Sequence, residues 1–272
     1  RILELQRYLR SIDRVEAARM YLENYVRNHP DQLEIARELV EVYLSQENFE
    51  RIDPLVEKLD VSESPAETVT NLADFLLSKG FFASASSILK TRLATDPENF
   101  ELGLMQIRAL GELGESASVE ELSSRTRSLA DSPERYARWL EASVAAHTRL
   151  ETLDSFFANE QARFSFDNEE WPESKVEKFI LLCEAGKMKL QVESMAQAVR
   201  TQLETGTFDA ALKIRLRRFL VGMLEADPAA SKEVEEQLKA LAEEDVANRA
   251  GYDLQRALLY HRTQRIDLAQ DL

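Results

Sequence analysis

The 272 residues include one cysteine, eight glycines and seven prolines. A lone thiol, Cys183, excludes an internal disulfide and any cysteine-built metal cluster, because each needs more than one sulfur. Its neighbours Phe179, Ile180, Leu181 and Leu182 point to a buried, inert thiol. So few glycines and prolines leave little material for tight hairpins, and no segment alternates apolar and polar residues as a half-buried strand does. Long apolar runs are missing as well. The longest nearly uncharged one, Phe179 to Cys183, is far too short to span a bilayer, and no basic-then-apolar leader opens the chain. Cationic charge is in deficit, with 34 Lys and Arg against 49 Asp and Glu, a net charge of -15. Phosphate contacts need clustered Lys and Arg, so general nucleic-acid or anionic-membrane binding is not expected, and neither is direct membrane insertion. A basic, neutral or zwitterionic partner fits better. The sequence opens on Arg1 and stops inside what reads as a helix, so it is expected to be part of a longer polypeptide.

What is present is helix. Charged residues make up 31% of the chain, and abundant Leu, Ala, Glu and Arg suit helices with one wet face. From Pro65 to Pro97 one complete unit is legible. Val69, Leu72, Ala73 and Leu76 have the spacing of one helix face. Gly80 permits a chain reversal, because a residue without Cβ takes the left-handed backbone that ends a helix. Phe82, Ala85, Ile88 and Leu89 make the apolar face of a second helix, and Pro97 lies just past its end. Neither helix can bury its stripe alone.

Val69-x2-Leu72-Ala73-x2-Leu76, Ala85-x3-Leu89 and Pro97 resemble the tetratricopeptide repeat in spacing and in small residues, with aliphatics where that family carries its Trp, Tyr and Phe. The resemblance implies an all-α, right-handed superhelix of tetratricopeptide-like helix pairs. Ala18-x3-Leu22 and Pro30 repeat the pattern upstream, and Tyr43 of the second unit is the aromatic that the family expects. Pro30, Pro65, Pro97 and Pro133 punctuate the chain at nearly constant intervals, the mark of a repeat array.

In chain order, Leu5 and Leu9 precede Val15 to Tyr25 in the first pair. Ala36 to Tyr43 precede Phe49 to Leu59 in the second, with Asn48 as a plausible cap. A fourth pair turns at Gly114. A fifth opens at Pro133 and turns near His147 and Thr148 into Leu150 to Phe157. The rhythm breaks from residue 164 to 175, a longer inter-repeat loop or a junction, which divides the chain into residues 1–163 and a C-terminal sub-array, 176–272. That second part holds three more pairs, the last with Leu254, Ala257, Leu258 and Tyr260 on its inner face. About sixteen helices in eight pairs are expected.

Catalysis needs convergent polar groups, and none converge. His29, His147 and His261 lie far apart near helix ends, which suits surface or capping roles, and none sits in a zinc-helix motif. There is no glycine-rich phosphate loop and no serine flanked by glycines as in a nucleophile elbow. Adjacent carboxylates such as Glu169 with Glu170, or Glu243 with Glu244, read as solvated faces. No catalytic residue, cofactor site or metal site is assigned, and the protein is read as not an enzyme.

Binding remains. The resemblance implies that the first helices of successive units line a concave groove which holds an extended peptide or a partner helix. Its lining would be Glu34, Arg37, Glu38 and Glu41 in one unit and Glu67, Thr70, Asn71, Asp74 and Ser78 in the next, so the groove is expected to be acidic. Secondary contacts are conceivable at Phe164, Phe166 and Trp171, as aromatic anchors or as filling of an irregular junction. The basic cluster Lys213, Arg215, Arg217 and Arg218, with Arg200 near in sequence, could meet an anion or pair with neighbouring carboxylates. The reading is a non-catalytic protein-binding scaffold. Alternatives are a periplasmic segment of a bacterial envelope-assembly or exopolysaccharide-export protein, or the helical sensor region of a signalling or transcription regulator. The compartment stays open between cytoplasm and periplasm, leaning to the cell envelope.

Overall fold

The computed structural model describes residues 2–164, 171–186 and 192–270. The chain divides into two units, Arg1–Leu153 and Asp154–Leu272. In the first, α1 (Ile2–Ser11) pairs with α2 (Val15–Asn28), α3 (Leu33–Ser45) with α4 (Ile52–Val56), α5 (Ala66–Ser78) with α6 (Phe82–Thr95), and α7 (Phe100–Leu113) with α8 (Ser116–Ser128); α9 (Pro133–Arg149) closes it. The second comprises α10 (Leu153–Ala162), which starts at the boundary, then α11 (Glu173–Ala185), α12 (Val192–Thr205), α13 (Ala210–Leu224), α14 (Ser231–Glu244), α15 (Arg249–Arg262) and α16 (Ile266–Gln270). Among the described residues there are sixteen α-helices and no strand, in the order of pairs that the apolar periodicity predicts. No helix among them is long and apolar enough to cross a membrane.

In the first unit α3, α5, α7 and α9 form a row in which each helix touches the next. The stripe Val69, Leu72, Ala73 and Leu76 is fully inside, as are Ala85, Ile88 and Leu89 across the pair. Small residues set how closely the rows approach. A Cβ built on Gly111 of α7 would lie 2.7 Å from both Cα and Cβ of Ala146 on α9. Backbone cannot step aside as a side-chain tip can, so this contact admits glycine alone.

One backbone device recurs at the turns within pairs. Asp13, Glu47, Gly80, Gly114 and Glu151 all have φ between 57° and 82°, at separations of 34, 33, 34 and 37 residues, and Gln264 repeats it in the second unit. Each is followed by an amide that reaches back five residues. Arg14 N donates to Leu9 O at 2.8 Å, Asn48 N to Tyr43 O at 2.9 Å, Phe81 N to Leu76 O at 2.9 Å, and Glu115 N to Leu110 O at 3.1 Å. Thr152 N to His147 O at 2.9 Å and Arg265 N to Tyr260 O at 2.8 Å complete the set. These are Schellman closures, which satisfy the orphan carbonyls of a helix end and reverse the chain. Only two of the six positions carry glycine.

Several local expectations shift. The second helix of the second pair stops at Val56 after a 3-10 turn over Phe49–Arg51, and Asp60 N then donates to Pro30 O at 3.1 Å. Asn48 caps nothing with its side chain, which donates to Gln46 Oε1. Side-chain caps fall instead at Asn99, Ser132 and Asp209, which accept from Leu102, Arg135 and Leu212 N–H. The turn expected near His147 and Thr148 comes slightly later, at Glu151, leaving His147 buried in the last turn of α9. In α15 the inner face is Tyr252, Leu259 and Tyr260, while Leu254 and Leu258 are exposed. Hydroxyl bonds set that rotation: Tyr252 donates to Asp245 and Tyr260 to Glu235, so the tyrosine edge lies on the α14 side.

Candidate functional site

The sequence periodicity that buries Leu33, Ile35, Ala36, Leu39, Val40, Val42 and Tyr43 turns the charged positions of α3 toward solvent. Glu34 and Arg37 are exposed, and Glu38 and Glu41 half-buried. On α5, burial of Val69, Leu72, Ala73 and Leu76 leaves Glu67, Asn71, Asp74 and Ser78 exposed, with Thr70 half-buried. The two helices are neighbours: the Arg37 guanidinium sits over the Phe75 ring, 5.0 Å from its centroid. The Lys79 ammonium lies over the same ring at 5.9 Å. Thus the groove residues expected from sequence are brought onto adjacent helices and present to solvent.

Their electrostatics are uneven. Arg37 pairs with Glu41 at 3.7 Å, an exposed contact of little energetic weight. Glu34, Glu38, Glu67 and Asp74 make no ion pair among the described residues, whereas two carboxylates of α7 further along the row are paired. There Arg138 of α9 pairs with Glu101 of α7, and Arg149 with Glu112 at 3.1 Å. Thr70 and Ser78 use their hydroxyls on Ala66 O and Phe75 O of their own helix.

Behind this face Tyr43 fixes α3 to the preceding pair. Its hydroxyl donates to Glu23 at 3.0 Å, and Glu23 also meets Arg51 at 3.0 Å and Arg19 at 3.3 Å. Burial, then the Glu23 carboxylate, pushes the Tyr43 phenol up to about 12, so it stays protonated and keeps donating.

The other candidates are placed in the second unit. Trp171 is 3% exposed, so the expectation of an exposed anchor is corrected: its ring packs against Phe179 and Phe164 at centroid separations of 5.3 and 6.0 Å. Filling of an irregular junction is the role these two aromatics take. Phe166, with Glu169 and Glu170, lies outside the described residues. In the basic cluster, Arg217 meets Glu244 at 3.0 Å and Gln237 at 2.6 Å, Arg218 meets Asp245 and Tyr252, Arg215 meets Glu184 at 3.7 Å, and Arg200 holds Glu233 through two nitrogens. The arginines are thus engaged within the chain, and Lys213 stands half-buried beside them.

The histidines and the cysteine stay apart. His29 stacks on Tyr25 at 4.4 Å, and His147 shares a 2.8 Å hydrogen bond with Thr152 across the α9 turn. Burial lowers the His147 pKa, with Glu120 acting in the opposite sense. Cys183 is fully buried, and burial, then Glu184, raises its thiol pKa. Sequence reasoning did not find Glu235. It is 8% exposed and is met by Lys239 at 2.6 Å, Tyr260 at 2.8 Å and Arg265 at 2.9 Å. Burial opposes its charge, yet those three donors win and hold its carboxyl down at about 2. The spacing Glu235 to Lys239 was a readable signal; the approach of Tyr260 and Arg265 was not.

No family model matches the chain, and no curated protein matches it. Among solved structures it is similar to a chain in the structure described as "Structure of Naa15/Naa10 bound to HypK-THB", at 14% identity and a TM-score of 0.34. That match covers 97% of this chain and 45% of the other, so the chain spans under half the length of the protein it matches.

Proposed function

We propose that the protein is a non-catalytic scaffold of tetratricopeptide-like helix pairs that binds a basic or neutral peptide, or a partner protein presenting one, on the face of α3 and α5. The observation that carries this reading is the set of outward carboxylates, Glu34, Glu38, Glu67 and Asp74, which make no ion pair among the described residues, where Glu101 and Glu112 of α7 are each paired with an arginine of α9. Like charges held together on a rigid surface raise the local potential and attract cations of complementary spacing. Asn71, between Glu67 and Asp74 on the exposed turn, supplies an amide that can donate and accept toward a peptide backbone.

Capture from lysate tests it, with the native protein compared with a variant in which Glu34, Glu38, Glu67 and Asp74 are replaced by Lys, each at low and high salt. The expected result is a partner held by the native form only and weakened by salt. Capture of the same partner by both forms would overturn the assignment of this face.

A further inference from the structure

A second site lies between α6 and α8 in the first unit, above α7. There the helices part to leave a cleft of about 380 Å³. Its floor is Gln106, a polar residue at a core position of α7 and 5% exposed. The amide Nε2 donates to Ser86 Oγ at 2.9 Å, but Oε1 is buried and meets no donor. A buried acceptor left unmatched costs on the order of 1–3 kcal/mol, so the site is built for a group that brings an N–H or O–H.

The rim supplies the second element. Lys90 is one turn beyond Ser86 on α6, and Arg125 lies just beyond Leu122 on α8; both line the cleft and both are exposed. Neither makes an ion pair among the described residues, although Glu121 stands four positions before Arg125, at the spacing that pairs Arg37 with Glu41 elsewhere. Because α6 and α8 both run antiparallel to α7, the contacts of Ser86 with Gln106 and of Thr126 with Gly103 put Lys90 and Arg125 on the same side of the Gln106 amide. Glu115, bound by the Ser118 hydroxyl at 3.0 Å, closes the other end. Leu93, Leu110 and Leu122 make the walls apolar.

We infer that this cleft binds a short extended peptide segment that carries one carboxylate, set between Lys90 and Arg125, and that donates a backbone N–H to Gln106 Oε1. Glu115 and Glu121 select against polyacidic segments, which separates this ligand from a general anion. The site takes the opposite charge from the α3 and α5 face and does not depend on it.

The test is an amide NMR titration of the isotope-labelled full chain with acetyl-Ala-Glu-Ala-amide, acetyl-Ala-Gln-Ala-amide and inorganic sulfate, each to about 10 mM, a range that reads millimolar Kd. The expected result is a saturable shift at Ser86, Gln106 and Arg125 with the Glu peptide, about tenfold weaker with the Gln peptide and absent when Lys90 and Arg125 are both alanine. Those two side chains are exposed, so that variant keeps its fold. Gln106→Leu should weaken the Glu peptide about fivefold while leaving sulfate unchanged. Equal shifts from the Gln peptide, equal shifts from sulfate, no shift at all, or undiminished binding by the Lys90→Ala, Arg125→Ala protein would each overturn the proposal.

Discussion

Glu235 shows how a single carboxylate ties a helix pair. Its donors come from its own helix (Lys239), from α15 (Tyr260) and from the turn beyond it (Arg265), whose guanidinium also covers the Tyr260 ring at 4.7 Å. A folded pKa of about 2 lies below the unfolded value near 4.5, so this contribution is complete above about pH 4.5 and is lost as pH falls toward 2. Glu235→Gln should lower thermal stability at pH 7 and flatten the fall of Tm between pH 4.5 and 2.5; a variant as steep in acid as the native protein would refute the linkage. At Ala85, fully buried between α5 and α6, replacement by Leu adds three carbons where none fit. The expected cost is about 1–3 kcal/mol, read as a lower urea midpoint, and an unchanged midpoint would refute this packing. Ala85 was legible from sequence because its neighbours recur at helical spacing. Glu235 was not, because two of its three partners, Tyr260 and Arg265, lie 25 and 30 positions away and only the fold brings them to it.

The repeating element is the left-handed turn closing the first helix of a pair. Where glycine occupies it, at Gly80 and Gly114, the sequence announced it; at Asp13, Glu47, Glu151 and Gln264 the same backbone is held by residues with a Cβ. A side chain in that region costs about 1–2 kcal/mol relative to glycine. Gly80→Ala should therefore lower stability by about 1 kcal/mol, and Glu47→Gly should be neutral or stabilising, both measured as urea midpoints with unchanged slopes. Equal and opposite behaviour, with Glu47→Gly the more damaging, would show that the Glu47 side chain makes contacts which outweigh its backbone strain. The turns also explain which boundaries the sequence hid. The prolines mark the entries to pairs, but the turn inside a pair depends on a backbone closure that the residues at four of the six positions do not advertise. The short α4 was hidden for a related reason: the apolar spacing of Ile52, Val56 and Leu59 continues past the point where the chain leaves the helix to meet Pro30.

For the molecule as a whole, the all-helical repeat was readable because burial at i, i+3 and i+4 leaves a periodic trace in any helix that covers a neighbour. The exposed face of α3 and α5 was readable as its complement, the positions between the buried ones. What could not be read was which charges cancel. That depends on pairs such as Glu101 with Arg138 and Glu112 with Arg149, each 37 residues apart and brought together by the packing of α7 on α9. The same long-range pairing consumes Arg217, Arg218 and Arg200, which looked equally available in the sequence.

Carboxylate labelling of the protein, alone and with its captured partner bound, followed by mass spectrometry of each modified side chain, tests that surface most directly. Glu34, Glu38, Glu67 and Asp74 should label fully in the free protein and be protected in the complex, while Glu134 and Glu141 of α9 remain unchanged. If those four carboxylates label equally with and without the partner, and protection appears elsewhere, the α3 and α5 face is not where this scaffold binds.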